Sequence, residues 1–444
     1  MQFKSPPNNQ PLTRPQKRSL DLLGFPNQTI MILNFDSRII LLAAALGLGL
    51  FSQFTKYVIT PEVNLLIDAC VILSIVVSLN RIRFKGGVDN LVLMIGIYMF
   101  FHFLWQLETY GYDSAYNYNA YRTIFRGILI YFITKSLLKE ANFELNKILL
   151  IGILKCLLVV MFINVVFEWM LLKVLGVSLV GFLPWVPLNI EGNNIFGLYA
   201  VNRIPTLLGT PYSISAICVS LFFLFIHLHQ STSWKSRQNL IFSFFAILVV
   251  FLAYSRLQVL ILVCGIIIFI FKKQTSSRSM RIFLMIMSAV LFFTILAFMK
   301  DDIHFTSNPL IIEAISQGGF WKNAADFIVI SSDDLGYLLI GKGGVTGWQQ
   351  YVGLINVLGI EAGIFEEMLQ VYGLIFIFLY YYLLYSVYSK IPSDAPALKL
   401  VLLVYFLSPL HFWTVLNTFH GDYFFLIVAF LSSDVWRKQR SEGY

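Results

Sequence analysis

Charge is what this sequence has least of. Only 13% of its 444 residues are charged, against 58% hydrophobic and 16% aromatic, and mean hydropathy is +0.74. What charge there is falls between many apolar runs, which reach the roughly 20 residues that cross a hydrocarbon core of about 30 Å. That excludes a soluble globular protein and gives a polytopic, all-α integral membrane protein. Cysteine is scarce as well. Cys70, Cys156, Cys218 and Cys264 all lie in apolar segments, with no pair spacing for metal or redox chemistry, and read as buried structural thiols. No His, Cys and Asp cluster has metal-ligand spacing, so neither a metal nor a cofactor is expected. Gly341–Gly344 contains a lysine among glycines but lacks the Ser or Thr and the Gly spacing of a phosphate loop. No internal repeat of the inverted kind found in many transporters is visible.

The net charge of +8 would fit a nucleic-acid partner, but its placement excludes one. The basic residues sit in short loops: Arg81, Arg83 and Lys85; Lys135, Lys139 and Lys147; Lys235 and Arg237; Lys272, Lys273, Arg278 and Arg281; Lys390; and Arg437, Lys438 and Arg440. Every second loop is basic, and the others carry Glu108 and Asp113, Glu191, or Asp301, Asp302, Asp333 and Asp334. That alternation predicts about twelve spans with both ends in the cytoplasm. The spans fall near 39–59, 63–80, 90–108, 122–139, 147–172, 210–229, 239–254, 256–271, 282–299, 363–389, 398–417 and 420–435. Residues 1–38 lack a basic start followed by an apolar core and a cleavage site, and are expected to be a cytoplasmic tail. Residues 39–435 form the transmembrane domain and 436–444 a second cytoplasmic tail. Two long loops, 173–209 and 300–363, share the outer side. The second is too rich in Gly and Asp to lie in hydrocarbon, and its Trp, Phe and Tyr content predicts a folded cap over the site.

Few groups in this apolar chain can carry chemistry. Arg203 sits in a Pro- and Gly-rich turn before the sixth span, where it suits a phosphate or pyrophosphate by a bidentate fork, or snorkels to the interface. Arg256 lies at a turn between two spans with almost no loop, on the side where positive charge is disfavoured. An ionisable residue so placed marks either a functional cavity or a structural ion pair. Arg122 and Arg126 share one face of the fourth span and either extend a cationic site or bind lipid headgroups. Asp68, His102, Lys155 and Glu168 are expected to pair among themselves, for example Asp68 with Lys155 or Arg126. Glu361, Glu366 and Glu367 lie where the long loop returns to the membrane. They offer a carboxylate for general-base work, or simply favour a helix N-terminus.

Together these residues resemble the bacterial O-antigen polymerase (Wzy) and O-antigen ligase superfamily over about residues 200–380. The resemblance rests on Arg203–Pro211, the SerArg turn at Ser255–Arg256, Trp321, the GlyLysGly segment Gly341–Gly343, and the Glu…TyrGlyLeuIle stretch Glu367–Ile375. It implies a glycosyltransferase of the GT-C type with a large periplasmic loop. Such an enzyme is metal-independent and uses undecaprenyl-pyrophosphate-linked oligosaccharide at the outer face of the bacterial inner membrane. Membrane lipids and a chain-length regulator are the other partners it implies. By the same resemblance Arg203, Arg256 and Glu367 are the expected catalytic set, the arginines stabilising the departing pyrophosphate. Arg122, Arg126, Trp321, Lys322 and Lys342 are the expected substrate contacts. The chain departs from the pattern where relatives carry an Arg before the loop Trp; here the charge falls to Lys322, which cannot make the Arg fork. Residues 359–365 hold no His of the kind ligases carry at that point, which favours a polymerase over a ligase. A lipid-linked oligosaccharide flippase is the alternative from a different class.

Overall fold

The computed structural model describes residues 36–51, 63–82, 84, 86–110, 115–139, 143–171, 174, 211–230, 237–253, 256–271, 335–341, 367–410 and 418–433. Among them the chain is helical throughout, with no strand. The helices are α1 (Ser37–Leu50), α2 (Val63–Ser78), α3 (Val88–Tyr110), α4 (Ala115–Leu138), α5 (Phe143–Met170), α6 (Pro211–Gln230), α7 (Arg237–Leu252), α8 (Arg256–Phe271), the short α9 (Leu335–Ile340), α10 (Glu367–Lys390), α11 (Pro396–Leu407) and α12 (Thr418–Leu431). A described helix lies on each apolar segment read from the sequence except 282–299, which lies outside the described residues. Five are long and apolar enough to cross a membrane: Val63–Arg81, Val88–Glu108, Glu144–Met170, Ser213–Gln230 and Val371–Lys390. Shorter apolar helices accompany them. Helix suits these long apolar runs, because backbone polar groups in hydrocarbon must be hydrogen-bonded and a helix satisfies them within its own segment.

Burial sorts these helices into centre and rim. Ser213–Gln230 has 78% of its apolar window buried against protein, whereas Val63–Arg81 has only 28%. A helix apolar on all sides belongs where other helices surround it, and α6 packs against both α7 and α11. The rim helices instead turn Leu65, Ile72, Leu73, Val76, Phe101, Ile163 and Phe167 outward. An apolar surface of that extent is stable against hydrocarbon and not against water. The same reasoning corrects the reading of the cysteines. All four are free, but Cys156 and Cys264 are exposed on the outer surface, because an apolar segment in lipid need not bury its thiol in protein.

Side-chain pairs show which helix ends lie together. At one end, the Asp36 side chain caps α1, accepting from the Arg38 backbone N–H at 3.0 Å and from its Nε at 2.8 Å. Burial pushes the Asp36 carboxyl up, but the bonds and charge of Arg38 outweigh it and hold the group below its ordinary value. Arg38 is fully buried and reaches Ser136 of α4. Beside it, Asp89 accepts from Tyr131 at 2.6 Å and pairs with Lys139 at 3.4 Å and Lys135 at 3.7 Å. Lys135 also donates to the carbonyl of Ser432, just after α12, at 2.9 Å. Lysines read as loop charge are therefore partly spent on a buried acid. Asp68, Arg126 and Asp422 meet at the opposite end, and Gln258 of α8 donates to Ser408 after α11 at 2.8 Å. Neighbouring helices thus run antiparallel from α1 to α8 and again from α10 to α12. The chain changes ends between Phe271 and α9.

One close approach sets the spacing at the Asp68 end. A Cβ on Gly127 would lie within 3.0 Å of the Phe425 ring at Cε2, so α4 and α12 touch there backbone to ring. Gly127→Val is expected to destabilise by about 1–3 kcal/mol, as overpacking does. The check is the melting temperature of the solubilised chain, alone and with Phe425→Leu, which should recover part of the loss.

Candidate functional site

The Asp68 end holds a cluster of two arginines and two carboxylates, and α4 organises it. Arg122 and Arg126 lie one turn apart on its face toward α2 and α12. Arg126 makes a two-pronged contact with Asp422, Nε to Oδ1 at 2.9 Å and Nη2 to Oδ2 at 2.8 Å. Its Nη1 reaches Asp68 Oδ1 at 3.3 Å. Arg122 Nε meets the other Asp68 oxygen at 2.5 Å. Asp422 is 1% exposed and Arg126 7%, while Arg122 and Asp68 keep 14% and 19%. Each of these carboxylates is met by at least one guanidinium group, as charge at this depth requires, since an unpaired charge in hydrocarbon is expensive.

A second constellation adjoins it, because Tyr121 precedes Arg122. His102 of α3, Tyr121 of α4, the end of α9 and a break in α10 meet here. His102 bonds the Tyr121 hydroxyl through Nδ1 and the Ile340 carbonyl through Nε2 at 2.8 Å. A carbonyl carries no proton, so Nε2 is the donor and Nδ1 accepts from Tyr121. The Tyr98 hydroxyl donates to the Tyr372 carbonyl and lies 3.2 Å from that of Ile340. These carbonyls are available because both backbones are broken. Gly341 has φ +87 and Gly373 has φ 75 with ψ 176 inside α10, conformations that glycine adopts most readily. A Cβ on Gly341 would stand 2.5 Å from the Val371 carbonyl oxygen. The two glycines therefore let α9 and α10 pack main chain against main chain. Tyr98 and His102 take up the carbonyls that the break leaves without a helical partner.

The expected site residues distribute as follows. Arg256 is the first residue of α8 and Glu367 the first of α10, both at the Asp68 end. Arg122 and Arg126 are there too, in ion pairs. Arg203, Trp321, Lys322 and Lys342 lie outside the described residues. Asp68 pairs with Arg126, one of the partners expected for it, and with Arg122, not with Lys155. Lys155 lies instead over the Phe242 ring, 5.1 Å from its centroid. Asp422 was not singled out from the sequence, nor were Tyr98 and Tyr121. An acid two residues inside the last apolar segment was the available signal for Asp422. Among the described residues no group of three or more His, Cys, Asp or Glu is placed to hold a metal ion.

The fold and its apolar surface define the class: this is an all-α membrane protein. No family model, curated protein or solved structure matches the chain.

Proposed function

We propose that the protein is a GT-C-type glycosyltransferase with about twelve spans, polymerising undecaprenyl-pyrophosphate-linked oligosaccharide repeat units. It would act at the periplasmic face of the bacterial inner membrane. The observation that carries this reading is the clasp between α9 and α10. Gly341, which opens the GlyLysGly segment, and Gly373, within the TyrGlyLeuIle stretch, belong to separate pieces of the family resemblance and pack main chain against main chain. The clasp holds residues 335–341, which fall within the 300–363 stretch, against α10, and His102 joins it to Tyr121, the residue before Arg122. It stands at the end where Arg256 and Glu367 head their helices.

In this reaction a hydroxyl of the incoming lipid-linked unit attacks the anomeric carbon of the growing chain. A new glycosidic C–O bond forms and the bond to undecaprenyl pyrophosphate breaks. The hydroxyl proton passes to a carboxylate, with Glu367 the candidate. Arg203 and Arg256 stabilise the charge that gathers on the leaving diphosphate, which an arginine fork meets through two oxygens at once. The resulting polysaccharide would be O-antigen, capsule or exopolysaccharide.

The test is glycan ladder length in a strain deleted for its own copy and complemented with wild type, Arg203→Ala or Arg256→Ala, with membrane expression confirmed. Single repeat units on lipid A core from both Ala variants are the expected result, a loss of more than tenfold in polymer length. Normal ladders from both remove the proposed site. Full-length polymer held on the undecaprenyl carrier would mark a ligase instead. A second reading draws on the Arg122–Asp68–Arg126–Asp422 cluster, since charge buried between helices also occurs along transport paths. Lipid-linked units accumulating on the cytoplasmic face would mark that flippase.

A further inference from the structure

We infer that the Gln106 side-chain amide is a saccharide-binding group, bonding hydroxyls of the lipid-linked sugar beside the first turn of α10. The inference deepens the proposed function, on which the choice of a lipid-linked sugar rests. Tyr98, His102 and Gln106 recur every four residues and so share one face of α3. The first two spend their polar atoms on the clasp and its surroundings. The Tyr98 hydroxyl lies on the Tyr372 and Ile340 carbonyls, and His102 uses both ring nitrogens. Gln106 differs. It is 1% exposed, and among the described residues neither its Oε1 nor its Nε2 has a hydrogen-bond partner. A buried amide in that position gives up its hydration without return, and buried polar groups in folded proteins are nearly all bonded to something. Leucine or methionine would fill the same space at no such cost, so the choice of glutamine calls for a ligand.

Its place in the fold and its chemistry say which ligand. A Cβ on Gly87 would stand 3.5 Å from Lys390 Nζ. Farther along, the Tyr98 ring lies 6.3 Å from that of Phe376 and the His102 ring 6.0 Å from that of Tyr372. The two helices therefore run antiparallel, and one more turn of α3 brings Gln106 level with the first turn of α10, which Glu367 heads. Aromatic rings stand beside this face, Trp105 at 5.6 Å and Tyr121 at 5.7 Å from His102. Aromatic surface with a few placed polar groups is the usual lining of a small-molecule site. The amide both accepts, through its carbonyl, and donates, through its NH₂. A diphosphate offers acceptors only and a prenyl chain offers neither, whereas sugar hydroxyls offer both. In the proposed reaction Gln106 thus holds the sugar at the level where Glu367 receives the hydroxyl proton.

Gln106→Met removes the amide and keeps the length of the side chain. Full-length protein in phosphatidylcholine nanodiscs, whose headgroups carry no hydroxyl, is titrated with farnesyl pyrophosphate and with farnesyl pyrophosphate bearing glucose, galactose or N-acetylglucosamine. Wild type should bind at least one glycosylated probe about tenfold more tightly than the sugar-free one, the margin that one net hydrogen bond supplies. Gln106→Met should bind all the probes alike, with wild-type affinity for the sugar-free one. Because an amide without an internal partner has been removed, Gln106→Met should also melt above wild type. A Gln106→Met that melts below wild type, or does not purify folded, shows that the amide is satisfied within the fold and overturns the inference. So does a wild type that binds every probe alike, or a Gln106→Met that keeps the wild-type preference. Preference lost in Gln106→Met beside normal ladders from Arg203→Ala and Arg256→Ala would sink the polymerase reading alone. Lost ladders from those two variants beside a preference that Gln106→Met retains would sink the Gln106 assignment alone.

Discussion

Asp422→Asn should cost about 3–5 kcal/mol of stability, because it leaves the Arg126 guanidinium buried without its two-pronged partner. Arg126 is 7% exposed and Asp422 1%, so water cannot make up the loss. Asp68 cannot either, since it reaches Arg126 at only 3.3 Å and is shared with Arg122. The cost arises from the orphaned charge and not from the ion pair as such. Removing both members should therefore be milder: Arg126→Met with Asp422→Leu is expected to melt above Asp422→Asn alone. Thermal unfolding of the solubilised full chain makes the comparison. If the single and double variants melt together, the orphaned-charge account is wrong and Asp422 acts through packing.

The second large effect belongs to the clasp. Gly373→Ala places a Cβ 2.5 Å from the Ile340 carbonyl carbon, in a backbone conformation of φ 75 that L residues rarely adopt. Strain of that kind costs about 1–3 kcal/mol, and the collision adds to it unless α9 moves. The expected result is that α9 leaves α10 while the remaining helices stay folded. Hydrogen exchange should then accelerate at residues 335–341 and at 371–373, with helix-core amides unchanged. Gly152→Ala is the control. Nothing lies within 4 Å of a Cβ there, and mid-helix alanine is about 0.5–1 kcal/mol better than glycine. Unchanged exchange at residues 335–341 in Gly373→Ala would show that the two segments do not depend on each other. On the proposed function, loss of the clasp should also shorten polymer, since residues 335–341 would no longer be held against α10, the helix that Glu367 heads.

The helical, membrane-spanning character of the chain was legible in its residues, and so were the positions of most helices. Apolar content over about 20 residues is a local sum, and lipid demands a satisfied backbone within each segment. No knowledge of neighbours is needed to see it. The arginines at Arg122 and Arg126 were visible for the same reason, since charge stands out against so apolar a background. Their partners were less so. A cationic site or lipid headgroups fitted the spacing of the two arginines, and an ion pair with Asp68 fitted Arg126, but Asp422 came into view only in the folded chain. That acid lies 296 positions from Arg126, and nothing local to either residue points to the other. The glycines show the same division. Gly341 and Gly373 were each noticed as parts of a resemblance, yet their relation depends on two chain segments meeting main chain to main chain.

From the sequence alone come the class of the protein, the sites of its helices and the scarcity of groups able to do chemistry. Each follows from the transfer of side chains between water and hydrocarbon, which is read residue by residue. Tertiary packing alone decided that Arg126 is held by Asp422, that Asp68 bridges two arginines, and that His102 reads the Ile340 carbonyl 238 positions away. Those contacts are directional, short in range and distant along the chain, and only the folded arrangement of helices brings them within reach.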